Sequence, residues 1–325
     1  MTQGFWKKLK KPFFALAPMA DVTDFAFRQI IVKYGKPDVF WTEFVSADGL
    51  GHPDAREKLL VDLKYSEKER PIVAQIFGAR PENIRHAAAL AAELRFDGVD
   101  LNMGCPDRSV EKQCAGAALI KNPKLAADII RAAQDGAPNL PISVKTRIGY
   151  NKDETDTWIP ALLQTGIAAL TVHARTRKEM SDVPAHWDAV ARAVTLAEGT
   201  GIIIIGNGDV SDIKDAEDKA QMTGADGIMF GRAIFGNPWL FNRAKQSVSK
   251  EEKLLALVEH TKLFETELGA YKNFAIMKKH YKAYVSGWDG AKELRSQLMD
   301  AEDALGVETI INKYLTRNVK RVSFE

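Results

Sequence analysis

The stretch Val99-Asp100-Leu101-Asn102-Met103-Gly104-Cys105-Pro106 places a thiol just past the end of an alternating segment. Apolar Val99, Leu101 and Met103 alternate with Asp100, Asn102 and Gly104, the pattern of a strand with one apolar face and one face turned toward whatever the strand lines. Gly104 would allow close backbone approach to a flat ligand, and Pro106 removes an amide donor and stiffens the turn, so Cys105 would be displayed rather than packed. A free thiol titrates near pH 8.5 and is mostly protonated at neutral pH, which suits a proton donor better than a nucleophile. Taken alone, a cysteine is better explained as a small buried hydrophobe, and it is the context that reverses this.

That context is a set of polar side chains set into apolar runs. Gln75 lies between Ala74 and Ile76, Asn102 between Leu101 and Met103, and Lys145 between Val144 and Thr146, while His173 follows Val172. A buried unpaired lysine costs several kcal/mol, so Lys145 calls for an anion or an electron-rich ring opposite it. Two later apolar runs end in Gly206-Asn207-Gly208-Asp209 and Gly231-Arg232, each followed by a helical segment. Glycines that let amides approach, with a helix amino end behind them, are features of a phosphate cradle.

The elements that must position these residues are short apolar runs separated by amphipathic stretches. Strands are expected at 13–18, 39–45, 72–77, 97–103, 142–147, 168–173, 202–206 and 227–231, with helices at 81–94, 123–133, 155–165, 187–197 and 211–222. Eight such units point to a (β/α)₈ barrel, whose site lies at the carboxyl ends of the strands and whose last two loops commonly hold phosphate. A doubly wound sheet is the alternative, but it carries a glycine-rich fingerprint after its first strand, where this chain has Ala17-Pro18-Met19-Ala20. After Phe241 the pattern turns to helices only, at 251–268, 271–286, 291–305 and 308–314, separated by Gly269, Gly287, Gly290 and Gly306. The expected organisation is a barrel over residues 1–241 and a small all-helical domain over 242–325.

Composition narrows the class. The chain has 325 residues, 46% hydrophobic, enough for a sizeable core, and a net charge of +2 that does not by itself announce a nucleic-acid binder. Its 2 cysteines, Cys105 and Cys114, make neither a disulfide framework nor a structural metal site, and fit a reducing cytoplasm. Residues 1–12 are basic with aromatics, and the apolar stretch after them contains Pro18 and runs into Asp21, unlike a cleavable signal or a membrane span. Residues 242–325 carry 15 Lys and Arg against 12 Asp and Glu, so any RNA surface there must be local. Nothing in the sequence calls for an obligate protein partner.

Together, Ala17-Pro18-Met19-Ala20, Asn102-Met103-Gly104-Cys105-Pro106, Val172-His173-Ala174-Arg175-Thr176-Arg177, Gly206-Asn207-Gly208-Asp209 and Gly231-Arg232-Ala233 resemble the tRNA-dihydrouridine synthase family. The resemblance covers nearly the whole chain, with Met277-Lys278-Lys279-His280 similar to a basic stretch that the family places against RNA. It implies FMN, with backbone contacts from Pro18, Met19 and Ala20, side-chain contacts from Gln75, Lys145 and His173, and phosphate contacts from Asn207, Gly208, Asp209, Gly231 and Arg232. It also implies a tRNA substrate, met by Asn102, Arg175, Arg177, Lys278, Lys279 and His280, and NADPH or NADH as a transient reductant. No metal is implied.

Reduction of the uracil C5–C6 bond needs a hydride donor at C6 and an acid at C5, roles that fit reduced FMN and Cys105. A uridine in folded RNA is stacked and has to be extruded, and Lys278, Lys279, His280, Tyr281 and Lys282 would mix phosphate-binding charge with an aromatic on about one helical turn. Two other readings stay open here: a flavin-dependent reductase of a small dihydropyrimidine-like molecule, and a noncatalytic RNA-binding protein on a barrel. The chain departs from the family pattern at Ala174, at Ser181-Asp182-Val183-Pro184 and across residues 107–114, loops that would border the substrate.

Overall fold

The computed structural model describes residues 3–322. Its strands are β1 (Phe13–Leu16), β2 (Phe40–Trp41), β3 (Val45–Ser46), β4 (Ile72–Phe77), β5 (Gly98–Met103), β6 (Ile142–Arg147), β7 (Ala169–His173), β8 (Ile203–Asn207) and β9 (Gly227–Phe230). The order is β1-β9-β8-β7-β6-β5-β4-β2, with β3 also on β4, and every pair is parallel. Closure comes from a bridge between Ala15 and Val39, with the Leu16 amide donating to Val39 O at 3.2 Å and the Asp38 amide to Phe14 O at 2.8 Å. The result is the expected (β/α)₈ barrel.

The second strand differs from the single run expected at 39–45. It is split into β2 and β3, which share β4 as a neighbour. At the break, Thr42 Oγ1 accepts the Gln75 amide at 3.1 Å and donates to Glu43 O at 2.9 Å, so a side chain takes a rung of the backbone ladder.

Helices Pro81–Glu93, Pro123–Gly136, Thr155–Leu163, Trp187–Ala197 and Ile213–Thr223 clothe the later strands. Their ends follow local chemistry. Pro81 and Pro123 stand in the first turn, where no amide partner is lost. Asp212 caps the last of them by accepting the Asp215 amide at 2.9 Å, and Gly224 ends it at φ +73°. Inside the barrel, Phe13, Ala15, Trp41, Val73, Ala169, Ile203, Ile205 and Met229 form one core cluster with Trp6 of the turn Gly4–Lys8. The Trp6 ring lies 5.9 Å from both Phe13 and Trp41, which packs the N-terminal turn against the first residue of β1 and the last of β2.

Contacts divide the chain into two units. The first is Met1–Met19 with Pro37–Arg232, and the second is Ala20–Lys36 with Ala233–Glu325. Among the described residues the main elements of the second unit are the helices Phe25–Tyr34, Lys250–Leu268, Lys278–Tyr284, Ala291–Met299 and Ala304–Val322. Helix Phe25–Tyr34, absent from the sequence reading, starts at Asp24, whose carboxylate accepts the Phe27 amide at 2.9 Å. Ser249 and Glu252 form a reciprocal capping box on the long helix Lys250–Leu268. The helix expected at 271–286 is instead a tight turn, Phe274–Met277, leading into Lys278–Tyr284, because the Asn273 side chain accepts the Ala275 amide at 2.8 Å and starts a new turn there.

Candidate active site

Across β4, β5 and β6 the polar residues join in one chain of hydrogen bonds that runs from Ser143, near the start of β6, to the carboxyl end of β5. Ser143 Oγ donates to Asp100 Oδ1 at 2.5 Å, Gln75 Nε2 to Asp100 Oδ2 at 2.7 Å, and Asn102 Nδ2 to Gln75 Oε1 at 3.2 Å. Asn102 Oδ1 then accepts the amides of Gly104 at 3.1 Å and Cys105 at 2.9 Å. Strand alternation puts Asp100 and Asn102 on one face, and the register sets Asp100 beside Gln75 and Ser143 and Asn102 beside Lys145. Burial raises the Asp100 carboxyl to about 6, against the hydrogen bonds from Ser143 and Gln75 that favour its charge.

Cys105 therefore has a fixed backbone. Its carbonyl accepts the Ala117 amide at 2.9 Å, and Gly116, at φ +60°, comes so close that a Cβ there would stand 2.7 Å from the same oxygen. Burial pushes the thiol above its usual range, opposed by the Asp107 amide. At Gly104 an added Cβ would meet the Thr146 backbone at 3.1 Å, so this glycine lets β5 close on β6.

Lys145 Nζ donates to Asn207 Oδ1 at 3.3 Å, the one hydrogen bond it makes among the described residues, and Asn207 Nδ2 is held by Met229 O at 2.8 Å. Burial, aided by the nearby Arg147 charge, lowers the Lys145 ammonium to about 8. His173 is neutral, its pKa held well below the usual value by burial and then by Lys145, Arg147, Arg175 and Arg232. Arg175 has only donors, so its Nη1 lying 3.3 Å from His173 Nε2 fixes the ring proton on Nδ1.

Several expected residues turn out to be occupied. Arg175 is 2% exposed, pairs with Asp209, and donates to Val183 O at 2.6 Å. The second Asp209 oxygen takes Arg232 at 2.6 Å, so toward a phosphate Asp209 could offer its amide but not its carboxylate. Arg177 grips Glu111 through Nε and Nη2. His280 is fully buried in the second unit, its ring 5.0 Å from Phe27 and 4.6 Å from His260, which corrects the expectation that it meets the substrate. Tyr281 is buried with it, whereas Lys278, Lys279 and Lys282 stay at the surface of that unit. Of the first motif, Pro18 is buried, Met19 packs on the barrel core, and exposed Ala20 falls in the second unit.

Arg147 was missed. Its guanidinium donates to Gly104 O at 2.9 Å, Thr176 O at 2.9 Å and Met180 O at 2.8 Å, tying the cysteine loop to the loop after β7. The signal was present, because Arg147 shares its strand face with Lys145.

These residues fit a flat, anionic cofactor such as FMN. Lys145 keeps N–H groups beyond the one given to Asn207, and Gly231 has nothing within 4 Å of where a Cβ would stand, leaving open space at the end of β9. Arg232, beside it, has a side chain 67% exposed. Among the described residues no group of three His, Cys, Asp or Glu side chains could hold a metal ion, and no helix is long and apolar enough to cross a membrane.

The old yellow enzyme homologue from Zymomonas mobilis superposes with a TM-score of 0.50 at 14% identity, over 74% of this chain and 90% of that one, a likeness of fold. Sequence relatives are much nearer. A "Probable tRNA-dihydrouridine synthase" of Staphylococcus aureus (strain COL) is 39% identical over the full length of both chains, and "Probable tRNA-dihydrouridine synthase 2" of Bacillus subtilis (strain 168) is 40% identical over 97% of each. The family model described as Dihydrouridine synthase (Dus) matches residues 15–320. With a family model and full-length relatives agreeing on one assignment, the chain belongs to the dihydrouridine synthase family.

Proposed function

We propose that this protein reduces uridine in tRNA to 5,6-dihydrouridine, with FMN as cofactor, a nicotinamide dinucleotide as reductant and Cys105 as the proton donor to C5. The observation that carries this reading is the hydrogen-bond chain from Asp100 through Gln75 and Asn102 to the Cys105 amide, beside Lys145. When bound, FMN supplies the hydride that adds to C6 of the base.

The protein's own groups do the rest. Asn102 and Arg147 hold the backbone on either side of the Gly104–Cys105 bond, which fixes the stretch of chain that carries the thiol. Burial keeps that thiol protonated at neutral pH, the state a general acid needs. Lys145 offers a positive charge to the electron-rich edge of the cofactor, and neutral His173 offers an Nδ1–H donor that carries no charge. The Gly208 backbone, Gly231 and the Arg232 guanidinium suit the phosphate end. Lys278 and Lys279 suit the sugar–phosphate backbone of the RNA.

Cys105→Ala tests the reading. The variant is expected to retain FMN and its reduction by NADPH while losing at least 10-fold in dihydrouridine formation, measured by mass spectrometry of tRNA nucleosides. Undiminished product removes Cys105 from the mechanism. A wild-type protein inactive on tRNA but active on free dihydropyrimidines would replace the substrate class.

A further inference from the structure

The loop that carries Cys105 leaves β5 at Gly104 and returns to the barrel at Gly116. Its two ends are pinned by Asn102, Arg147 and the Ala117 amide, as described above. Between them the loop makes one short helical turn, Arg108–Glu111, capped by Asp107, whose carboxylate accepts the Ser109 amide at 2.7 Å. The far side of that turn is held from the loop after β7. Arg177 Nε lies 3.0 and 2.9 Å from the two Glu111 oxygens, and Nη2 reaches both Glu111 Oε2 and, at 3.4 Å, the carbonyl of Pro106, the residue next to the cysteine.

The arrangement is built rather than casual. The Arg177 and Glu111 side chains are 25% and 12% exposed. Arg177 is itself placed by two backbone bonds to the loop after β6, its own amide to Gly149 O at 2.9 Å and the Lys178 amide to Tyr150 O at 2.8 Å. The Tyr150 ring lies 5.6 Å from the Arg177 guanidinium and 4.2 Å from Lys121 Nζ, and the Tyr150 hydroxyl, with Arg177, helps hold the Glu111 carboxyl below its usual range. Three loops thus meet on one carboxylate. A bidentate arginine–carboxylate pair sheltered from water fixes geometry in a way an exposed ion pair does not.

We infer that Arg177, acting through Glu111 and the Pro106 carbonyl, is a positioning residue that clamps the cysteine loop and sets where the Cys105 thiol stands. This assigns Arg177 a different role from the substrate contact suggested by its place in the motif, and it rests on the proposed reading of Cys105 as the acid. In physical terms, a proton donor misplaced by about 1 Å can lose on the order of 10²-fold in rate without any loss of substrate affinity.

The test uses the full chain loaded with FMN, in a Cys114→Ser background so that Cys105 is the remaining thiol. Glu111→Gln, Arg177→Gln and the double variant are compared for FMN content, for the rate at which tRNA reoxidises dithionite-reduced flavin, and for the rate of Cys105 alkylation by iodoacetamide. Each single variant is expected to lose about 10-fold in kcat with KM for tRNA within twofold, the double to be no worse than the worse single, and alkylation to speed up several-fold. Such non-additivity marks two residues acting as one unit. An Arg177→Gln variant with raised KM beside a Glu111→Gln variant like wild type would make Arg177 a substrate ligand and overturn the clamp, as would additive losses or unchanged alkylation. Cys105→Ala in the same assay separates the two ideas: full activity there defeats the acid assignment, while the alkylation rates still judge the clamp.

Discussion

Lys145 Nζ donates to Asn207 Oδ1 at 3.3 Å, joining the middle of β6 to the last residue of β8, and this bond presents a cation in the barrel. Burial leaves that cation near its titration point, at about 8, rather than secure. Below that value Lys145 is charged and attracts an anionic ring, and above it the attraction fades. Affinity for FMN, and more so for its reduced form, is therefore expected to fall as pH rises from about 7 to 9. Lys145→Met should weaken binding about 10- to 100-fold, in line with about 1.5–3 kcal/mol for a hydrogen bond to a charged group, and should abolish the pH dependence over that range. Flavin fluorescence titration at several pH values reads both, and an unchanged profile in the variant would exclude Lys145 as the titrating group.

Asn102 makes one side chain serve three partners, with Gln75 on one side and the amides of Gly104 and Cys105 on the other. Asn102→Ala strands two amides in a partly buried turn, a loss of about 1–3 kcal/mol. A lower unfolding midpoint is expected, with FMN retained and dihydrouridine formation reduced at least 10-fold. Retained activity would show that the Arg147 bond to Gly104 O suffices to hold the cysteine.

Much of this was legible in the sequence because strand periodicity is local. Alternation around Asp100 and Asn102, and polar Lys145 and His173 in apolar runs, marked the inward face before any contact was known. Three things were not local. The break in the second strand depends on Thr42 meeting the Gln75 amide from another strand. The roles of Arg175 and Arg177 depend on β7 ending at His173, which puts them on a turn where they face Asp209 and Glu111 rather than a shared strand face. The basic run at 277–280 reads as surface, yet Phe27 and His260, far away in sequence, decide that His280 turns inward.

His260 and His280 give the second unit an acid sensitivity. Burial holds His260 well below its ordinary range and His280 at about 3, the latter with a further push from the charge of Lys279. The unfolded chain protonates both near pH 6.5, while the folded unit does not. Their contribution to stability is thus complete above about pH 6.5 and declines progressively as pH falls toward 3. Urea midpoints measured from pH 7 down to 4 should drop, and His260→Phe with His280→Phe, which keeps two rings in contact with Phe27, should flatten that decline. An equally steep decline in the double variant would place the acid sensitivity elsewhere.

Lys278 and Lys279 are proposed to meet RNA phosphates, and their surroundings make them unequal. Lys279 Nζ lies 3.2 Å from Asp21 Oδ2, within the same unit, so part of its charge is already balanced. A lysine that neutralises a phosphate releases roughly 0.7–0.9 counterion, and that number is what the slope of log K against log salt counts. A lysine that must first leave a carboxylate contributes less. Lys278→Gln should therefore flatten the salt dependence of tRNA binding more than Lys279→Gln, and Asp21→Asn should steepen it slightly by freeing Lys279. Filter binding of tRNA over a salt series measures all three. Unchanged slopes in both lysine variants would move the RNA contact away from this helix, and equal losses would show that Asp21 does not hold Lys279 in solution.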